Sequence, residues 1–138
     1  MRGFLLLCFT FFVSGFIFST SGQIYLDSTI LRTEVVADDL HAPWEILWGP
    51  DDWIWYTERN GKVNRVNPET GEIDELLQLN DLYMYQVSGL FGMALHPNFT
   101  DTAQLFLVYT YLEDDEPKEK LVRYTYQNGS LVDPFILI

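Results

Sequence analysis

Residues 44–79 constrain this chain more than any other stretch. Four short runs are separated by three segments of strong turn chemistry. The runs are Trp44-Glu45-Ile46-Leu47-Trp48, Trp53-Ile54-Trp55-Tyr56-Thr57, Lys62-Val63-Asn64-Arg65-Val66 and roughly residues 73–79. Between them lie Gly49-Pro50-Asp51-Asp52, Glu58-Arg59-Asn60-Gly61 and Asn67-Pro68-Glu69-Thr70-Gly71. Aromatic and β-branched runs bounded by Pro, Asn, Asp and Gly, about 8–12 residues apart, predict an antiparallel four-stranded meander. Such meanders, repeated radially, are the blades of a β-propeller. A half-exposed sheet in another all-β domain is the alternative. The first two runs are apolar at both alternating sets of positions, whereas the last two carry Lys62, Asn64, Arg65, Asp74, Glu75 and Gln78. That contrast predicts burial falling from the first strand to the last.

A second set of runs follows at residues 90–95, 105–111, 120–126 and 131–138, with turns at 97–103, 112–119 and 127–129. Pro50-Asp51 corresponds to Pro97-Asn98, Tyr56-Thr57 to Tyr109-Thr110, and Arg65-Val66 to Arg123-Tyr124. The offset drifts from about 47 to about 58 residues, within the range of a propeller repeat whose loops lengthen. The expectation is therefore two blades, 44–79 and 90–138, within a region covering 23–138. Two blades cannot close a ring and need neighbours on both sides. The chain is thus expected to be the N-terminal part of a longer protein, prone on its own to aggregate through exposed sheet faces. Residues 23–33 read as a lead-in and 33–37 as a short strand.

Ahead of this region, Arg2 precedes an almost wholly apolar stretch at 3–18 and the small residues Ser19-Thr20-Ser21-Gly22. This is the pattern of a secretory leader spanning 1–22, with a retained membrane anchor as the alternative. Cleavage would leave no stable membrane insertion and a secreted or periplasmic chain. It would remove the single cysteine, Cys8, and so exclude disulfides and thiolate metal sites from the remainder. It would also remove Arg2, leaving 7 basic against 20 acidic side chains. A chain so acidic repels nucleic acid and anionic membrane surfaces.

Meander geometry places alternate loops at opposite ends of the strands. Loops 38–43, 58–61, 80–88 and 112–119 share one end; 49–52, 67–71, 97–103 and 127–129 share the other. The first group has the less turn-like content, so a site is expected there. His41 could serve as a general base or be a surface residue. Glu58-Arg59 could place charge over a central channel or form a salt-bridged turn. Glu113-Asp114-Asp115-Glu116 could hold calcium or be a solvated loop; its spacing matches no calcium loop. His96, before Pro97, reads as structural. Asn98-Phe99-Thr100 and Asn128-Gly129-Ser130 fit the N-glycosylation acceptor pattern.

Several of these segments carry a resemblance. His41-Ala42-Pro43-Trp44, Trp48-Gly49-Pro50-Asp51, Ile54-Trp55-Tyr56-Thr57-Glu58-Arg59, Gly61-Lys62-Val63 and Arg65-Val66-Asn67-Pro68 resemble the soluble glucose/sorbosone dehydrogenases. Gly89-Leu90-Phe91-Gly92-Met93-Ala94-Leu95-His96-Pro97-Asn98-Phe99, Val108-Tyr109-Thr110-Tyr111 and Arg123-Tyr124-Thr125-Tyr126 continue the match in order. The resemblance implies an exported quinoprotein oxidoreductase on a six-bladed propeller, binding pyrroloquinoline quinone (PQQ) and calcium. It implies oxidation of an aldose sugar with electrons passed to an external acceptor. In such enzymes a histidine takes the proton of a sugar hydroxyl while hydride passes to the quinone. That histidine, the calcium ligands and the basic residues for the quinone carboxylates are expected beyond residue 138, and neither His41 nor His96 matches the base. A sugar-binding glutamine of the family falls two residues before the glycine that corresponds to Gly89. Val87 occupies that place here, and Gln86, one residue earlier, is the candidate sugar contact. A non-catalytic extracellular binding propeller of the same superfamily is the alternative function.

Overall fold

The computed structural model describes residues 22–138. The leader expectation falls on residues 1–21, outside the described residues, apart from Gly22. Gly22 opens β1 (Gly22–Leu26), which pairs antiparallel with β2 (Thr29–Thr33) in a two-stranded hairpin. The expected strand at 33–37 is absent, because residues 34–38 leave the extended ladder. Instead, Asp27 takes a positive φ of 35° and closes a two-residue turn with Ser28, so the lead-in folds on itself. This hairpin and residues 36–138 form separate compact units.

The larger unit holds two antiparallel four-stranded sheets in the expected meander order. Sheet one runs β3 (Pro43–Trp48), β4 (Ile54–Glu58), β5 (Lys62–Val66) and β6 (Ile73–Gln78). Sheet two runs β7 (Leu90–Leu95), β8 (Gln104–Glu113), β9 (Glu116–Gln127) and β10 (Ser130–Ile136), with a four-residue helix α1 (Phe99–Thr102) in the β7–β8 connection. The loop expected at 112–119 is much tighter. Glu113 pairs directly with Glu116, leaving Asp114 and Asp115 as a two-residue turn at φ 52° and 63°. Aspartate tolerates that left-handed conformation, so the two acids serve the hairpin.

The two sheets share the same irregularity in their first strands. In sheet one, the residues from Pro43 to Ile46 face only those from Glu58 to Tyr56; in sheet two, Leu90 to Met93 face only Tyr109 to Leu107. Each first strand thus carries one extra residue at the same place, a β-bulge that reverses the faces beyond it. Cross-strand register then aligns Ile46-Tyr56-Asn64-Glu75 with Met93-Leu107-Val122-Ile136. On the opposite face, Leu47-Trp55-Arg65-Asp74 aligns with Ala94-Phe106-Arg123-Phe135.

The core lies between the sheets. Sheet one contributes Trp55, Val63, Leu76 and Leu79; sheet two contributes Leu90, Met93, Leu105, Leu107, Tyr109 and Val122. Each of these side chains contributes roughly 1.5–3 kcal/mol when fully buried. Trp55 meets Phe99 and Tyr126 edge-on, with ring centroids 5.5 and 5.1 Å apart. Asp51 accepts its indole N–H at 2.9 Å, so the ring's polar edge is satisfied as it is buried. Arg65 adds a second link, bonding Asp51 and Asp74 while its guanidinium lies over Trp53 and Tyr126.

The expected decline of burial from first strand to last is overturned. β3 is the open strand: Ile46 is 68% and Trp48 62% exposed, and Trp44 is also exposed. β4 and β5 are the buried strands. Past the bulge, Ile46 and Trp48 turn to the face away from sheet two, while Leu47 packs on the core. Apolar composition showed that β3 could be covered on both sides; it did not show that a cover was present.

Candidate functional site

The loops at the end of the sheets opposite α1 converge as meander geometry requires, and specific bonds hold them. Ala42 carbonyl accepts from Arg59 N–H at 3.1 Å, and Glu58 carboxylate accepts from His41 N–H at 3.1 Å. Arg59 in turn fixes the end of the 80–88 loop. Its Nε donates to Ser88 carbonyl at 3.0 Å, and its own carbonyl accepts from Leu90 N–H at 3.1 Å. Gly89 is required between them: at φ 146°, a Cβ there would lie 2.6 Å from Arg59 carbonyl oxygen.

The same loop is tied at two further points. Thr110 carbonyl accepts from Tyr83 N–H at 2.8 Å. At its start, Asp81 pairs at 2.5 Å with Lys120, whose side chain is only 8% exposed and lies over the Tyr109 and Tyr111 rings. A buried ammonium needs such a carboxylate and such aromatic faces. Burial pushes the Tyr109 and Tyr124 hydroxyls well above the usual tyrosine range; for Tyr109, hydrogen bonding with Tyr124 adds to it. Tyr109, Tyr124 and Lys120 also line a cleft of about 390 Å³ between β6 and β9–β10.

Gln86 stands at the tip of this anchored loop. It is exposed, with a positive φ of 50°. A local clamp forms around it: Ser88 hydroxyl accepts from Tyr85 N–H at 2.6 Å and donates to Tyr85 carbonyl at 2.7 Å. Gln86 therefore presents a primary amide, both donor and acceptor, from a turn fixed on either side. Exposed Met84, Tyr85 and Val87 surround it.

The other candidates sort differently. Glu58 and Arg59 do not form the salt-bridged turn, because they turn to different partners. Glu58 is buried and accepts from Asn64 Nδ2 at 2.9 Å as well as from His41, whereas Arg59 turns to Ser88. His41 engages Glu58 through its backbone, not its imidazole. His96 is structural: Nδ1 accepts from Asn98 N–H at 3.0 Å and the ring lies beside Phe106. Glu113 pairs with Lys118, which holds its carboxyl below the usual carboxylate range. Among the described residues no group of three His, Cys, Asp or Glu could hold a metal. Lys62, Arg65, Lys118 and Lys120 are all committed to carboxylates of this chain. Arg59 is held by Ser88 carbonyl, while Arg123 Nε has no hydrogen-bond partner among the described residues. The anchors Arg59–Ser88 and Asp81–Lys120 escaped sequence reasoning, since partners 29 and 39 positions apart leave no local signal.

Residues 40–134 match the family model for glucose/sorbosone dehydrogenase. The chain belongs to the glucose/sorbosone dehydrogenase family. It is 33% identical over 106 residues to quinoprotein glucose dehydrogenase B of Acinetobacter calcoaceticus, covering 70% of this chain and 22% of that protein. Among solved structures, it is similar to the PQQ-bound aldose sugar dehydrogenase of Streptomyces coelicolor, with a TM-score of 0.69 at 22% identity. That match covers 86% of this chain and 34% of the other. It is likewise similar to a putative oxidoreductase (glucose dehydrogenase) of Thermus thermophilus, with a TM-score of 0.68 at 26% identity, covering 76% and 30%. The chain therefore spans between about a fifth and a third of the length of these relatives. Family membership agrees with the all-β architecture. Among the described residues, no helix is long and apolar enough to cross a membrane.

Proposed function

We propose that this chain contributes the first two blades of an exported, six-bladed quinoprotein dehydrogenase of aldose sugars. The observation that carries the reading is the family match across both sheets, from residue 40 to residue 134. In this reading Gln86 hydrogen-bonds a sugar hydroxyl from the anchored 80–88 loop, and Arg59 and Ser88 hold that loop in place. PQQ, when bound, supplies the redox chemistry, and the protein supplies binding and orientation. Calcium, the proton-accepting histidine and the groups that hold the quinone come from outside residues 22–138. Electrons leave to an external acceptor.

The placement of Gln86, one residue before the family position and next to the exposed Val87, favours a second reading. In it the scaffold binds a partner outside the cell and carries out no oxidation. A dye-reduction assay separates the two. Full-length protein should reduce the dye with aldoses only after PQQ and calcium are added, and activity independent of both would refute the enzyme reading. Replacing Gln86 by Ala should raise KM about 10-fold or more, in keeping with loss of a hydrogen bond to substrate. The 138-residue chain alone should show no turnover.

A further inference from the structure

The two acceptor sequences remain unabsorbed by this function, and both lie at one end of sheet two. The chain has six asparagines: 60, 64, 67, 80, 98 and 128. Asn60 and Asn80 lie in the loops at the Gln86 end and are followed at the second position by Lys62 and Leu82. Asn64 is buried within β5. Asn67 has Pro68 next to it and Glu69 after that. Only Asn98 and Asn128 have the required hydroxyl residue, Thr100 and Ser130.

Both of these asparagines lie at the end of sheet two away from Gln86. Asn98 leads into α1 and Asn128 opens the two-residue β9–β10 turn. The two turns adjoin: Ala103 carbonyl accepts from Tyr126 N–H at 2.6 Å, and Phe99 stacks on Tyr126. Asn98, Thr100, Asn128 and Ser130 are all exposed. An asparagine in front of a helix ordinarily spends its side chain on capping; Asn98 makes no such bond. Asn128 sits at φ 51° with Gly129 at 79°, so its amide projects from a hairpin tip.

We propose that Asn98 and Asn128 are N-glycosylation sites, which place two glycans on the end of sheet two remote from the 80–88 loop. In the transfer, the side-chain amide nitrogen forms a bond to the anomeric carbon of a lipid-diphosphate-linked oligosaccharide. The bond from that carbon to the diphosphate oxygen breaks, the lipid diphosphate leaves, and the amide gives up one proton. The proposal rests on the export part of the preceding reading, since the donor lies on the secretory route.

The test is expression of the whole 138-residue chain, with its own first 22 residues, in a eukaryotic cell that secretes proteins. Total cell and medium protein are analysed, so a variant that fails to fold still reports. The expected result is a leader-free chain with two mass steps removed by a peptide N-glycosidase, which hydrolyses the asparagine–sugar amide bond and leaves aspartate at positions 98 and 128. Thr100→Ala should remove only the first step and Ser130→Ala only the second, with both asparagines retained. A leader-free chain without sugar would overturn the proposal and leave export standing. A chain that keeps residues 2–22 and carries no sugar would overturn both. Sugar on one asparagine alone would overturn the two-site assignment.

Discussion

Sheets one and two are the same device in different surroundings. Ile46 and Met93 occupy equivalent positions past equivalent bulges, yet Ile46 is largely exposed and Met93 is 5% exposed. The difference lies in what covers them. Sheet one lies over Met93, Leu107 and Val122, and no described element closes over Ile46 and Trp48. The opposite faces tell the same story in reverse. Leu47, Trp55 and Arg65 meet sheet two, whereas their counterparts Ala94, Phe106 and Arg123 face outward or are half covered. Arg65 has two carboxylates and the ring of Tyr126 from the neighbouring sheet. Arg123 has only Phe135 of its own sheet, and its Nε has no hydrogen-bond partner among the described residues. Burial in a stacked repeat is therefore a property of the neighbour, not of the residue.

The hardest test of this comparison places a charge at the equivalent positions. Met93→Lys should lose the native fold, because an unpaired buried charge costs at least several kcal/mol. Ile46→Lys should stay within about 0.5 kcal/mol of the parent in urea unfolding and lower self-association in sedimentation. Equal damage from the two would break the comparison. Next in size, Trp55→Ala should cost about 3–5 kcal/mol, and Phe106→Ala, its counterpart on the half-open face, about 1–2 kcal/mol. The same unfolding experiment ranks them.

Two smaller effects contrast polar groups. Asp81→Asn leaves Lys120 buried without its carboxylate and should cost about 1–2 kcal/mol, because Asp81 itself is wet. Hydrogen exchange should rise first in loop 80–88. Glu75→Gln, which breaks the exposed pair with Lys62 on sheet one, should leave the melting temperature unchanged.

Alkaline pH offers a last, graded probe. Burial raises the Tyr109 and Tyr124 hydroxyls on sheet two, and burial together with Glu58 raises Tyr56 on sheet one. A raised folded-state value means that the folded chain favours the neutral phenol. The resulting stability is intact below the unfolded tyrosine value near pH 10 and is lost as pH rises beyond it. Each such tyrosine should remove about 1.4 kcal/mol per pH unit in that window. Unfolding midpoints followed upward from about pH 9 should fall less steeply in Tyr109→Phe than in the parent.

Much of the architecture was legible because it is local. Pro50-Asp51, Asn60-Gly61, Asn67-Pro68 and Asn128-Gly129 punctuate four of the strand connections, and the meander order followed. The hairpin at 22–33 was missed because its turn rests on Asp27-Ser28, a weaker signal than Asn-Gly. The exposed β3 face was misjudged because Trp and Ile read as buried whichever side they occupy. The sequence singles out Gln86 only by its spacing from Gly89, through the family resemblance. The bonds that hold it were not legible, because Arg59, Thr110 and Lys120 reach the loop from distant strands.

The sequence by itself determined the strands, their turns, the repeat and the family, since these depend on short-range backbone preferences and on side-chain order. Tertiary structure alone decided which face of each sheet is covered, which acids and bases pair, and how the 80–88 loop is pinned. Those outcomes depend on contacts between residues far apart in the chain, and a one-residue bulge is enough to exchange the face that meets a neighbour for the face that meets water.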